Sequence, residues 1–382
     1  MIPVAATPAT PAAATPRIVM PSPYEVTFGR IVAELPAGTV RAIVVVDGRR
    51  WTSRAADGRR VTFRIAVPAH DSTLRVLAVD ERGRVTASPG VGPVFGLPPE
   101  AAPRPVGSTD DAPLRRRLAG LLRSFPGVAA AYVQDLRSGA GAAWNARARF
   151  PAGSTLKLAI AVEALRSVRG PPARGSSVDV LMRSMLIESD NEAANRLEAA
   201  FGGSTSGGSA RVNAMLRALG LVDSQMYGGY ETGDEKDEGE KDGRPIPIGV
   251  QSQPSFPRGK HASAADLGRL MHYVYLAAGG RGPLIQRFGD KLSPAEARYL
   301  LYLLVHVSDS GKLDRFLPAS AVVAHKAGWI ATARHDNGLV FWPGGALVAT
   351  VMTFGSGVGP SSDVLAGRVA QAALARFRAL SR

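Results

Sequence analysis

The stretch PPEAAPRPVGSTDDAP, residues 98–113, constrains this chain more than any other segment. Its five prolines fix φ and remove backbone donors, so neither a long helix nor an inner strand can run through it. A chain of 382 residues must therefore divide here. A second such stretch, residues 1–23, carries six prolines among Ala and Thr and reads as a solvated tether. Its repeated prolines interrupt any apolar h-region, so no secretory signal is read in it.

Between the two, residues 24–97 hold runs such as VRAIVVVDGRRW and STLRVLAVDERGRV, rich in Val, Ile and Thr and punctuated by Asp47-Gly48, Asp57-Gly58 and Arg82-Gly83. Partial period-two alternation at this spacing predicts a small all-β sandwich of immunoglobulin-like type, a spacer or docking module. Residues 114–382 alternate between element types. A helix (APLRRRLAGLLRSF) and two strands come first, then a series of helices beginning with STLKLAIAVEALRSV. The strands AVVAHKAGW, DNGLVFW and ALVATVMTFG follow, with a final helix from about Ser361 to Leu380. Strands drawn from both ends of the segment predict an α+β domain: an antiparallel sheet flanked by helices, with an inserted helical lobe.

Composition narrows the chemistry. The absence of Cys removes disulfides, cysteine-based metal sites and a cysteine nucleophile. No apolar run reaches the roughly 18 residues of a membrane span. Lys and Arg number 46 against 32 acids, a net +14. The arginines read as dispersed and without interleaved aromatics, so a solvated surface is expected rather than a nucleic-acid partner. Only seven residues are lysine. The run ETGDEKDEGEKD, residues 231–242, lacks the spacing of a calcium loop and reads as a solvated acidic loop. No metal and no cofactor is expected.

Three short segments could carry chemistry. Ser154 follows the turn signal Pro151-Ala152-Gly153 and opens an apolar helix, whose free N–H groups can face an oxyanion. Lys157 lies one turn on, where burial would depress its pKa and make it a base for Ser154. A capping Ser and a solvent-reaching Lys would give the same spacing, and about 0.5 Ser-x-x-Lys matches arise by chance at this composition. Ser189-Asp190-Asn191, expected by chance only about 0.02 times, lies at a helix-to-helix turn. It suits an N-cap, or a proton relay through Ser189 with the Asn191 amide holding a carbonyl. Lys326-Ala327-Gly328 lies on an apolar strand. There Lys326 can supply charge to a carboxylate, Gly328 admits close approach, and the N–H of Trp329 can pair with that of Ser154 as an oxyanion hole.

In this order, FPAGSTLKL, MLIESDNEAANRL and VAHKAGW, the segment from about Leu114 to the C-terminus resembles the class A β-lactamases and their penicillin-binding relatives. The resemblance implies an acyl-enzyme on Ser154, with Lys157 as base, Ser189 and Lys326 assisting proton transfer and carboxylate binding, and Asn191 positioning the acyl amide. It implies hydrolysis of β-lactam amide bonds and a secreted or cell-envelope location. Arg334 is read as a further carboxylate contact, and His335 and Asp336 as a turn or supporting pair rather than a triad. The chain departs from the family pattern in three respects. The interval from Ser154 to Ser189 is shorter than usual, and that from Ser189 to Lys326 is longer and contains the acidic run. Ala327 replaces the usual hydroxyl residue. The loop that carries a deacylating Glu, with an Asn after it, here reads SQMYGGYETGDEKDEG, where Glu231 is the one candidate. Two readings therefore stand beside hydrolysis: a D-alanyl-D-alanine carboxypeptidase or slowly deacylating penicillin-binding protein acting on peptidoglycan peptide, and a non-catalytic cell-wall binding protein. The sandwich would serve as a cell-wall or protein contact in each.

Overall fold

The computed structural model describes residues 15–231 and 250–380, so the acidic run beyond Glu231 lies outside the described residues. The chain forms two compact units, Met1–Pro99 and Glu100–Arg382.

The first unit holds only strands: β1 Arg17–Met20, β2 Glu25–Thr27, β3 Arg30–Glu34, β4 Thr39–Val46, β5 Arg49–Ala55, β6 Arg60–Arg64, β7 Asp71–Asp80, β8 Val85–Ala87 and β9 Val91–Gly96. One sheet runs β1-β3-β6 and the other β2-β9-β7-β4-β5, with β8 on β7. Ile31, Phe63, Val44, Leu74 and Val76 from the two sheets share one core. Strand β1 corrects the expected tether. Past Pro16 the apolar IVM pairs with β3, Ile18 joins the core, and Arg17 caps the pairing with a 2.8 Å ion pair to Glu34.

The second unit begins inside the expected linker. Ala101 is buried and accepts a hydrogen bond from the Tyr275 hydroxyl (3.0 Å), and β10 Thr109–Asp110 pairs in parallel with β12 Ala140–Trp144. These contacts fix a stretch that composition alone marks as a spacer. Asp111 caps α1 Ala112–Arg123, accepting from Leu114 N (2.9 Å), and its second oxygen takes Arg376 (2.8 Å). That pair ties α1 to the last helix. The sheet order is β10-β12-β11-β17-β16-β15, with β11 Val128–Asp135, β15 Val322–Ile330, β16 Ala333–Trp342 and β17 Gly345–Phe354. Apart from β10 its pairings are antiparallel. Against one face pack Leu114, Leu118 and Leu122 of α1 and Leu365, Val369 and Phe377 of α9 Gly359–Leu380. Each such side chain contributes about 1.5–3 kcal/mol by burial.

The helical lobe lies between the strands in sequence. It follows β13 Phe150–Pro151 and comprises α2 Lys157–Arg166, α3 Ser177–Ile187, α4 Asn191–Gly202 and α5 Thr205–Ala218. Then come β14 His261–Ala262, α6 Ala264–Ala278, α7 Gly282–Phe288 and α8 Pro294–Leu304. The expected long helix at Ser154 is instead one 3-10 turn, Gly153–Leu156, leading into α2. No helix among the described residues is long and apolar enough to cross a membrane.

Candidate active site

Strand β15 and the 3-10 turn meet across two glycines. A Cβ on Gly328 would lie 2.6 Å from Ser154 N and 2.7 Å from Thr155 N. Gly153 has φ +51°, and a Cβ there would lie 2.8 Å from Trp329 N. The amides of Ser154 and Trp329 are thus brought beside one another next to the partly exposed Ser154. The Trp329 side chain is 63% exposed.

Lys157, the first residue of α2, is fully buried. Its Nζ donates to Ser189 O and to Asn191 Oδ1, each at 2.5 Å. Ser189 sits between α3 and α4 at φ +60°, a strained conformation for a residue with a Cβ, and this turn presents carbonyl and hydroxyl to the cleft together. The hydroxyl accepts from Lys326 Nζ at 2.9 Å. Asp190 caps α4, accepting from Ala193 N at 2.5 Å. Two lysines therefore converge on one serine.

Burial pulls Lys157 down to about 7, Lys326 pulls the same way, and Asp190 and Glu231 oppose it. Lys326, also fully buried, is lowered to about 8, chiefly by burial, with Asp309 and Asp336 opposing. The pH range in which Lys157 can accept a proton thus reaches neutrality.

Several of the residues that shape this site carry no sequence motif. Tyr230 lays its ring 4.8 Å from Lys157 Nζ and 4.7 Å from Lys260 Nζ. Asn195 clamps the Tyr230 backbone, accepting from its N–H (2.6 Å) and donating to its carbonyl (2.8 Å). One signal was available: Asn195 lies one turn after Asn191 on the same helix face. The aromatic ring, rather than the carboxyl of exposed Glu231, covers the lysine; Glu231 is close enough to raise its pKa. Behind Lys326, Lys312 pairs with Asp309, and Asp336 accepts from His325 Nδ1 (2.8 Å) and Leu313 N (3.2 Å). Burial alone would lower His325, but Asp336 and Asp314 raise it overall.

Two expectations are corrected. Arg334 is held in a two-pronged pair by Asp363 of α9, at 2.7 and 2.8 Å, so the carboxylate it binds is the chain's own. His335 and Asp336 form neither a turn nor a pair: adjacent on β16, they face opposite sides of the sheet. His335 Nε2–H donates to Pro151 O (2.7 Å) while Nδ1 accepts from Thr353 N (3.2 Å), which requires a neutral ring. Burial lowers it to about 4.

A model of the β-lactamase enzyme family matches residues 113–170 and 170–377. Among solved structures, PBP-A is 22% identical, with a TM-score of 0.55, covering 72% of this chain and 98% of its own. A PBP-A mutant solved as an acyl-enzyme complex with penicillin G gives 22% and 0.54, covering 72% and 99%. An ancestral class A β-lactamase gives 23% and 0.52, covering 69% and 100%. No curated protein matches the sequence. The structures share the fold, and the family model spans more than half the residues; this chain belongs to the β-lactamase enzyme family.

Proposed function

We propose that the protein is a serine hydrolase that forms an acyl-enzyme on Ser154 and hydrolyses β-lactam amide bonds. The observation that carries this is the buried Lys157, lowered to about 7, one turn from a partly exposed Ser154 whose amide lies beside that of Trp329. In this reading Lys157 takes the Ser154 proton as Oγ attacks the carbonyl carbon. The amides of Ser154 and Trp329 hold the oxyanion. Ser189, bridged to Lys326, passes a proton to the leaving nitrogen, and Lys326 attracts the substrate carboxylate. Asn191 and the backbone beside Gly328 position the acyl amide. The substrate is then a small β-lactam or a peptidoglycan peptide, the place of action the cell envelope, and the strand unit a contact module.

Tyr230 favours a second reading. With a ring over Lys157, release of the acyl group would be slow, as in a penicillin-binding protein or D-alanyl-D-alanine carboxypeptidase. Incubation with a fluorescent penicillin, followed by intact mass over time, separates the readings. A transient adduct with turnover supports hydrolysis, and a lasting one supports slow release. No adduct on the wild type overturns both and leaves a binding protein, and an undiminished adduct on Ser154→Ala overturns Ser154 as the nucleophile.

A further inference from the structure

A third lysine, Lys312, is as buried as Lys157 and Lys326, at 1% exposure, and has no part in the acyl transfer. It lies in the loop between α8 and β15, residues 305–321. That loop is fastened to both walls of the cleft. Ser308 donates from N (3.2 Å) and Oγ (2.8 Å) to Ile187 O, at the end of α3 and two residues before the strained Ser189. Five residues on, Leu313 N donates to Asp336 of β16 (3.2 Å). Between the two, the Asp314 carboxylate takes the N–H groups of Gly311 and Lys312, each at 2.8 Å, and the Lys312 ammonium closes the turn on the Asp309 carboxylate.

Burying an ammonium is costly, and this one is too enclosed to meet a ligand in the cleft. What lies close to it is the counter-charge of Lys326. Burial lowers Lys326; of the charges around it Asp309 opposes most, then Asp336, while Lys312 adds to the fall. The other groups that face Lys326 are already engaged. Ser189 Oγ and Ala327 O accept from its Nζ at 2.9 and 3.0 Å, Asp336 is held by His325 Nδ1 and Leu313 N, and Lys157 shares Ser189 with it as a like charge. An unpaired carboxylate at Asp309 would compete with substrate for the Lys326 ammonium, and low local dielectric would strengthen that competition.

We propose that Lys312 is a positioning residue for Lys326: it holds Asp309 in an ion pair of its own, so that the Lys326 ammonium stays on Ser189 and is offered to the substrate carboxylate. This rests on the acyl-transfer reading of the cleft. It gives the loop a role in substrate capture that its distance from Ser154 in sequence conceals, and it explains why a lysine is retained where an apolar side chain would be cheaper to bury.

The pH dependence of penicillin labelling tests this, together with NMR of selectively labelled lysine side chains in the full chain, a readout that needs no turnover. With seven lysines the signals are few, and Lys326→Gln identifies the one that matters. As pH rises through about 8, Lys326 loses its charge and labelling loses the carboxylate contact. Lys312→Met leaves Asp309 to Lys326. The Lys326 titration and the basic limb of labelling should both move up by about half a unit, and the penicillin concentration for half-maximal labelling rate at pH 7 should rise about threefold. Asp309→Asn removes the opposing carboxylate and should move titration and limb down. A merely structural pair would slow labelling in both variants and leave the titration where it was. No movement, or movement in the same direction in both variants, overturns the proposal. Should Asp309→Asn fail to fold with Lys312 left unpaired, the double variant Asp309→Asn, Lys312→Met carries the comparison: its Lys326 titration should lie below that of Lys312→Met, and an equal value overturns the proposal. A wild type that does not label sinks the acyl-transfer reading and the proposal with it, whereas labelling that persists with an unmoved Lys326 signal sinks the proposal alone.

Discussion

The two walls of the cleft each bury a lysine completely and treat it differently. On the helical wall, Lys157 meets neutral acceptors, Ser189 O and Asn191 Oδ1, and an aromatic ring. On the sheet wall, Lys326 also donates to neutral acceptors, Ser189 Oγ and Ala327 O, and behind it stand ion-paired groups: Asp309 with Lys312, and Asp336 with His325. Equal burial with different partners leaves one near 7 and the other near 8. Both lysines are pulled toward neutrality chiefly by burial, and Lys157, the lower of the two, is the readier to give up its proton.

The strongest way to break this contrast is Lys157→Met. We expect acylation of Ser154 to fall about 10³-fold at all pH values, read as the rate of penicillin labelling. The same variant should be more stable. Lys157 is lowered in the folded state, so between its folded value of about 7 and the ordinary lysine value the unfolded chain binds more protons, and stability rises with pH across that window. At pH 7 the buried lysine is a burden, and removing it should raise stability by about 1–4 kcal/mol. A lower melting temperature at pH 7 would count against a lysine held at such cost for chemistry.

Gly328→Ala tests the seam between the walls. Its Cβ would meet the amides of Ser154 and Thr155 at 2.6 and 2.7 Å, both backbone and unable to yield cheaply. Acylation should drop about 10²-fold and stability by about 1–3 kcal/mol. Unchanged labelling would show that the two amides do not act together. Lys326→Gln should cost less, about tenfold and mainly in KM, because it removes a charge for the substrate carboxylate and leaves the base in place. An equal loss in kcat and kcat/KM would instead give Lys326 a role confined to the transition state.

What could be read from the sequence divides in the same way. Ser154, Lys157, Ser189, Asn191 and Lys326 lie in short motifs that draw on the scarce Lys and Asn of this chain, and the element types around them follow from periodicity. Tyr230, Asn195 and Lys260 could not be read this way, because their roles come from contacts between α2, α4 and a loop without periodicity. Arg334 misled for a related reason. A cation beside an active-site strand reads as a ligand for substrate until Asp363, on the terminal helix, is seen to hold it. The boundary between the two units falls inside the Pro-rich stretch, at Pro99 and Glu100, but proline content reports what the stretch cannot form and not the buried contact of Ala101.

The finest test of the contrast is at Tyr230, whose ring stabilises the charged form of Lys157 against burial. Lys326 faces this ammonium as a like charge, Asp190 and Glu231 face it as opposite ones, and Lys260 Nζ lies 4.7 Å from the same ring. Tyr230→Leu keeps an apolar cover and removes the π face, worth about 0.5–2 kcal/mol. The acid limb of the acylation rate, set near pH 7 by Lys157, should then move to lower pH by about 0.4–1.5 units. Tyr230→Phe keeps the ring and should leave the limb in place. If both variants shift it equally, the hydroxyl and its 3.4 Å contact to Gly153 O would be the operative feature. If neither does, the ring only covers the lysine, and the helical wall owes its low pKa to burial and the Lys326 charge.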